Sequence, residues 1–150
     1  MRTKILNLIF KLLPIKIAYA HCDVPCGIYD PKPAQIAAAT VLKMVQKIKE
    51  LPTRGTDEEL LQARNSFVRM VWTKEEHARK CKEELLILWT DYFKPENAGP
   101  FPDLHETFWK AAKLCSYNKQ HVDAAKSQEL VDAVAKISDM FQKAEAAKKK

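Results

Sequence analysis

Apolar side chains recur every three to four positions along most of the chain, and four stretches each predict an amphipathic helix. The first helix is expected to begin near Asp30 and to end at Pro52, and the second begins at the capping box that opens with Thr56. The third runs from about Asp103 to Cys115. Helix by helix, the apolar stripes comprise Ala37, Val41, Met44, Val45, Ile48 and Leu51; Leu60, Phe67, Val68, Val71, Leu85, Leu86, Leu88 and Trp89; Leu104, Phe108, Ala111 and Cys115; and Leu130, Val131, Val134, Ile137 and Phe141.

These patterns predict an all-α protein, an up-and-down four-helix bundle over residues 32–145. No run of alternating polarity is long enough to predict a sheet, and the second helix is expected to continue unbroken to about Pro95. A polar connection over residues 116–126 joins the third and fourth helices. An irregular segment, residues 21–31, precedes the bundle, and a basic tail, residues 146–150, follows it.

The composition of the 150-residue chain is that of one globular domain, with 47% hydrophobic residues and only three glycines. So few glycines argue against a phosphate-cradling loop, and no apolar run is long enough for a transmembrane helix. The formal net charge is +6, but residues 1–20 carry four cations and no acidic residue. Because the remainder mixes both signs along its helices, we expect no nucleic-acid partner and no stable membrane insertion of the mature chain.

Residues 1–20 have the features of a processing segment: a basic start, an apolar middle and the small-x-small sequence Ala18-Tyr19-Ala20 at the end. Lys11 and Lys16 interrupt the apolar middle, which is unusual for export. The segment is therefore either an ordinary export signal or a propeptide whose removal by a maturation peptidase exposes His21 as the N-terminus.

A new N-terminus at His21 would create a compact set of metal ligands with Cys22 and Cys26. The His21 α-amine and the Cys22 amide nitrogen close one five-membered chelate ring, and the same amide with the Cys22 thiolate closes a second. These three donors lie nearly in one plane around the metal. The turn at Pro25 can bring the Cys26 thiolate to the fourth position of that plane, and the His21 imidazole can reach an axial position. Such a planar site favours Ni(II) over tetrahedral zinc, and its anionic donors make Ni(III) accessible. A Cys22–Cys26 disulfide is the alternative, although so short a loop would gain little stability.

The segment HCDVPCGIYDP, residues 21–31, resembles the nickel hook of nickel-containing superoxide dismutases, whose motif is H-C-x-x-P-C-G-x-Y. Similarity extends to LWTDYFKP at residues 88–95 and, more weakly, to PDLH at residues 102–105, so that the likeness spans about residues 21–150. The resemblance implies a four-helix bundle that forms a homohexamer, holds one nickel ion per subunit and matures by proteolysis. It also implies an activity, the disproportionation of superoxide to oxygen and hydrogen peroxide by Ni(II)/Ni(III) cycling.

The resemblance assigns roles to individual residues. The nickel ligands would be the amine and imidazole of His21, the amide and thiolate of Cys22, and the thiolate of Cys26. Tyr29 would complete the catalytic set beside the open axial face, where it orders water or excludes bulkier anions. Asp23 and Tyr92 would support the hook through hydrogen bonds.

The chain departs from the family pattern at the two positions that orient the axial imidazole, which are a glutamate and an arginine in well-known members. Ala37 and His77 stand at these positions here. His77 is therefore either a partner of the imidazole or a solvated helix residue. Cys81 and Cys115 have no ligand-like neighbours in the sequence, and we expect both to be buried or half-buried free thiols.

We expect a cytoplasmic enzyme, or an exported one if residues 1–20 are a secretion signal. Two other functions stay open at this point. One is a non-enzymatic exported helical bundle with a short disulfide, and the other is a nickel or copper carrier that uses the same N-terminal chelate. Metal content together with superoxide dismutation separates the three.

Overall fold

The computed structural model describes residues 27–148. This part of the chain contains five α-helices and no strand, so the expected all-α class is confirmed. The helices are α1 (Lys32–Lys49), α2 (Asp57–Ile87), α3 (Pro95–Ala98), α4 (Leu104–Gln120) and α5 (Ala124–Lys148). A single π-helical turn, Leu88–Tyr92, directly continues α2.

The four long helices form the predicted up-and-down bundle. Helix α1 packs against α2 and α5, and α4 packs against the same two helices, so the four close into a square. The largest fully buried apolar side chains come from all four: Val41, Val45, Leu85, Leu104, Phe108, Leu130, Val134 and Ile137. None of the described helices is both long enough and apolar enough to cross a membrane.

The helix starts follow the capping signals in the sequence. The Asp30 carboxylate accepts a hydrogen bond from the Lys32 backbone N–H at 2.7 Å at the start of α1. At the start of α2, the Thr56 hydroxyl accepts from the Glu59 N–H, and the Glu59 carboxylate accepts from the Thr56 N–H. Thr73 lies inside α2 and donates to the Arg69 carbonyl, so the long second helix is confirmed.

The predicted apolar stripe of α2 is wrong at Phe67 and Val68 in its first half and at Leu86 in its second, since all three side chains are exposed. Phe67 and Val68 are 45% and 66% exposed, whereas Lys74, Ala78 and Cys81 face the core. The ammonium of Lys74 donates to the carbonyl oxygens of Asn118 and Lys119, at the end of α4. The first half of α2 therefore extends past the end of α4, where fewer helices cover it.

Helix α4 is longer than predicted and continues through Gln120, which leaves a connection of only three residues, 121–123. Asn118, one of the polar residues in the predicted connection, is instead buried and bonded to α5. The Ser127 hydroxyl donates to the Asn118 side-chain oxygen at 2.6 Å, and the Asn118 amide donates to the Lys126 carbonyl. Helix α5 also continues past the predicted boundary at residue 145, to Lys148.

Candidate metal centre

The described part of the chain begins directly after the predicted nickel ligands. His21, Cys22, Asp23 and Cys26 lie outside the described residues, and their roles stay predictions. Gly27 has a φ of 72°, in the left-handed region that favours glycine. The glycine that follows Cys26 therefore meets a backbone requirement of this position.

Two predicted site residues, Tyr29 and Tyr92, meet where the chain enters the bundle. Their ring centroids lie 5.6 Å apart with the ring planes at 63°, an edge-to-face contact. Tyr92 is buried and Tyr29 is half-buried. The fold thus brings together the tyrosine expected beside the axial face and the tyrosine expected to support the hook.

The π-helical turn sets the direction of Tyr92. The Phe93 backbone N–H donates to the Leu88 carbonyl, five residues back, at 3.1 Å. One inserted residue changes the direction of the following side chains by about 100° relative to a regular helix. As a result Tyr92 and Phe93 are both buried and touch edge to face, with ring centroids 4.8 Å apart.

The Tyr92 hydroxyl donates a hydrogen bond to the Glu145 carboxylate at 2.8 Å. Burial and this carboxylate raise the pKa of Tyr92 above its ordinary value, because both disfavour the phenolate. Lys148 pairs with the same carboxylate at 2.7 Å, and its ammonium lies 4.2 Å from the Tyr92 ring centroid. Sequence reasoning missed Glu145, since a single acid near the end of an amphipathic helix carries no motif.

An open cavity of about 390 Å³ lies beside the two tyrosines, and Gly27 forms part of its wall. The charged side chains on the wall are Asp91, Lys94, Glu96 and Lys148. Because two cations face two carboxylates, the described wall carries no excess of either charge. The cavity is lined by Gly27, which directly follows Cys26 in the sequence.

The two shorter segments that resemble the family also meet in the fold. The Trp89 indole N–H donates to Nδ1 of His105 at 2.9 Å, and the Trp89 ring stacks on Phe108 with centroids 5.8 Å apart. These contacts join the π-helical turn after α2 to the start of α4. Trp89 and His105, one from each of the two similar segments, are therefore hydrogen-bond partners.

His77 is half-buried in the middle of α2, and its Nδ1 lies 2.9 Å from the Thr73 carbonyl oxygen. A carbonyl only accepts, so Nδ1 carries the hydrogen and Nε2 of the neutral ring is an acceptor. Met44 of α1 and Met70 of α2 line one cavity. Because α1 and α2 run in opposite directions, the first two turns of α1, which precede Met44, lie at about the level of the stretch of α2 around His77, which follows Met70. This stretch of α1 includes Ala37, which is buried.

The remaining cysteines, Cys81 and Cys115, are free thiols buried in the core, as predicted. A hydrogen bond with Cys115, together with burial, raises the pKa of Cys81, so this thiol stays protonated. Among residues 27–148, no group of three or more His, Cys, Asp and Glu side chains is placed to hold a metal ion. The described residues thus offer no metal site that competes with the predicted ligands.

Comparisons with known proteins agree on one family. The family model described as nickel-containing superoxide dismutase matches residues 16–145, which include the hook sequence. Nickel superoxide dismutases of Streptomyces coelicolor and Streptomyces seoulensis are 35% and 36% identical to this chain over 122 residues, 81% of this chain and 86% of each relative. A native nickel superoxide dismutase structure covers 83% of this chain and 99% of its own at 31% identity, with a TM-score of 0.69. A structure with nickel ligation of the oxidized state covers 84% and 99% at 33% identity, with a TM-score of 0.72. By its sequence and its fold, this chain belongs to the nickel-containing superoxide dismutases.

Proposed function

We propose that this chain disproportionates superoxide to oxygen and hydrogen peroxide once cleavage after Ala20 exposes His21. The observation that carries the proposal is the family match over residues 16–145, since it spans the hook sequence and the bundle together. The predicted ligands stand at the start of this match, and the two tyrosines that meet in the fold follow them.

The donor set of the hook fits nickel. His21 would hold the ion through its amine and imidazole, Cys22 through its amide and thiolate, and Cys26 through its thiolate. Two thiolates and two nitrogens joined by short chelate rings favour a tetragonal site, which suits Ni(II) and not zinc. When bound, nickel would supply one-electron exchange with superoxide.

The two tyrosines have different roles in this proposal. Tyr29 would stand beside the nickel held by the hook, where its hydroxyl would order water or exclude bulkier anions, and its ring is supported by Tyr92. Tyr92 keeps its proton, because burial and Glu145 raise its pKa.

Two further residues complete the proposed site. Asp23 would support the hook through hydrogen bonds, and His77 would orient the imidazole of His21. The atom of His77 suited to this role is Nε2, since Nδ1 is engaged by the Thr73 carbonyl. His77 would thus take over the role of the glutamate and arginine that other family members have at the positions of Ala37 and His77.

We also infer the surroundings in which the enzyme works. A maturation peptidase removes residues 1–20, the mature subunits form a homohexamer, and the compartment is the cytoplasm, with export as the alternative. The family resemblance supports the first two inferences. Sedimentation of the mature protein and fractionation of cells that produce it test assembly and location.

The test uses the chain that begins at His21, loaded with Ni(II) under reducing conditions. We expect one nickel ion per chain and superoxide dismutation. Nickel binding without dismutation would indicate a metal carrier. A chain without nickel that carries a Cys22–Cys26 disulfide would indicate a non-enzymatic bundle. Either result would overturn the proposal.

A further inference from the structure

Glu145, near the end of α5, holds Tyr92 in two ways. Its carboxylate accepts the hydrogen bond of the Tyr92 hydroxyl across a sequence separation of 53 residues. The same carboxylate pairs with Lys148, whose ammonium lies over the Tyr92 ring at a distance typical of a cation–π contact. One turn of α5 therefore fixes both the hydroxyl and the face of Tyr92.

Tyr92 in turn supports Tyr29. The edge-to-face contact between the two rings is direct, and Tyr92 is backed by Phe141 with centroids 4.4 Å apart. Tyr29 follows Cys26, the last predicted ligand, by three positions. A displacement of Tyr92 would consequently also displace the Tyr29 ring, which we expect to lie beside the hook.

We propose that Glu145 is a positioning residue of the active site, which holds the Tyr92 hydroxyl so that Tyr92 keeps the Tyr29 ring beside the metal hook. The inference rests on the proposed function, because it takes Tyr29 to face the metal. The other charged groups around Tyr92 are Lys148 of α5 and the cavity residues Asp91, Lys94 and Glu96.

Two substitutions of Glu145 distinguish the effect of its hydrogen bond to Tyr92 from the effect of its negative charge. Glu145→Ala removes the hydrogen-bond acceptor and should lower kcat/KM for superoxide about fivefold, the factor that one such hydrogen bond represents. Glu145→Gln keeps an oxygen that accepts from Tyr92, so activity at neutral pH should be largely retained. It lacks the negative charge that helps to raise the pKa of Tyr92. The alkaline limb of the activity profile should therefore move to lower pH, because a phenolate next to the site repels superoxide.

A double-mutant cycle with Tyr92→Phe determines whether Glu145 acts through Tyr92. In the Tyr92→Phe background, Glu145→Ala should change kcat/KM by less than about twofold, since the partner is already absent. Tyrosinate absorbance of the nickel-free protein gives a second readout that does not depend on activity. The ionisation that disappears in Tyr92→Phe should shift to lower pH in Glu145→Gln.

Glu129→Ala is the matched control. Glu129 forms an i,i+3 ion pair with Lys126 on the same helix, as Glu145 does with Lys148. It lies about 24 Å from Glu145 along the helix axis. This variant should keep both the activity and the tyrosine titration of the parent. An equal loss from Glu145→Ala in both backgrounds, or an unshifted titration in Glu145→Gln, would overturn the inference. A nickel-loaded parent without dismutation would refute the proposed function, and the titration alone would then decide whether Glu145 controls Tyr92.

Discussion

Two pairs of cysteines in this chain differ in their surroundings and in their expected chemistry. Cys22 and Cys26 belong to the predicted nickel ligands in an irregular segment. Cys81 and Cys115 are buried between α2 and α4, and the raised pKa of Cys81 keeps its thiol neutral. A neutral buried thiol is a packing group and a poor metal ligand. The chain thus carries internal controls for the roles of the hook cysteines.

We predict that Cys22→Ser and Cys26→Ser each abolish dismutation while the helix content stays close to that of the parent. Each substitution removes a thiolate from the ligand set, and neither position belongs to a helical stripe. Nickel content, circular dichroism and superoxide dismutation provide the measurements. Cys81→Ser and Cys115→Ser should keep the activity and lose stability by about 1–3 kcal/mol through a less favourable buried group. Substantial dismutation by either hook variant would contradict the assignment of the thiolates.

The imidazole of His21 can be separated from its amine. In His21→Ala, the new N-terminal residue still supplies an amine, and the Cys22 amide and both thiolates stay in place. We expect nickel to bind with nearly full stoichiometry, while dismutation falls sharply because the axial nitrogen is absent. His77→Ala should weaken activity to a smaller extent by loosening that imidazole. Near-normal activity of His21→Ala with nickel bound would show that the imidazole is dispensable.

At the scale of the helices, Lys74 is an unusual core residue. Its side chain is 1% exposed, and its ammonium donates to two carbonyl groups at the end of α4. The last carbonyl groups of a helix have no partner within that helix, so a cation placed there satisfies them and complements the helix dipole. Burial lowers the pKa of Lys74, which shows that the contact is made at a desolvation cost.

We predict that Lys74→Met lowers the free energy of unfolding by about 1–3 kcal/mol, because the terminal carbonyl groups of α4 lose their buried donor. Denaturant unfolding followed by circular dichroism measures the change. Lys80→Met, on the exposed side of α2, is the control and should leave stability nearly unchanged. Unchanged or increased stability of Lys74→Met would mean that the desolvation cost of the ammonium outweighs its hydrogen bonds.

The helix starts make the fold sensitive to acid. Hydrogen bonds from Thr56 lower the pKa of Glu59 from 4.5, and the backbone N–H of Lys126 lowers the pKa of Asp123 from 3.8. A carboxylate whose pKa is lower in the folded than in the unfolded chain stabilises the fold above its unfolded pKa, and this stabilisation is lost as the pH falls through the folded pKa. The melting temperature should therefore drop below about pH 4.5. Glu59→Gln should flatten this dependence, and an unaltered acid limb in that variant would contradict the role of the capping box.

The sequence predicts helix starts better than helix faces. Thr56 and Asp30 act on backbone groups only two or three residues away, so their effect is visible in the local sequence. The exposure of Phe67 and the burial of Lys74 depend instead on where α4 ends against α2, which is a contact between distant segments. The prediction of a loop at Asn118 was wrong for the same reason, because the hydrogen-bond partners Lys126 and Ser127 lie on the next helix.

At the scale of the whole molecule, the residues proposed to support the hook come from distant parts of the chain. Tyr29 lies near the start of the described residues, Tyr92 lies in the π-helical turn after α2, and Glu145 lies near the end of α5. Motif resemblance pointed to the two tyrosines separately, and the fold places their rings in contact. Glu145 could not be found in this way, since its role arises from the packing of α5 against the turn.

Nickel chemistry in this protein is expected to require the free amine of His21. The most direct test compares two chains that differ by one residue, one beginning at His21 and the other retaining Ala20, with nickel content and superoxide dismutation measured in both. Both chains should fold into the same bundle, because the helices lie downstream of the hook. We predict dismutation only by the chain that begins at His21, since in the longer chain the nitrogen is an amide and cannot close the same chelate. Comparable dismutation by the chain that retains Ala20 would show that the free amine of His21 is not required.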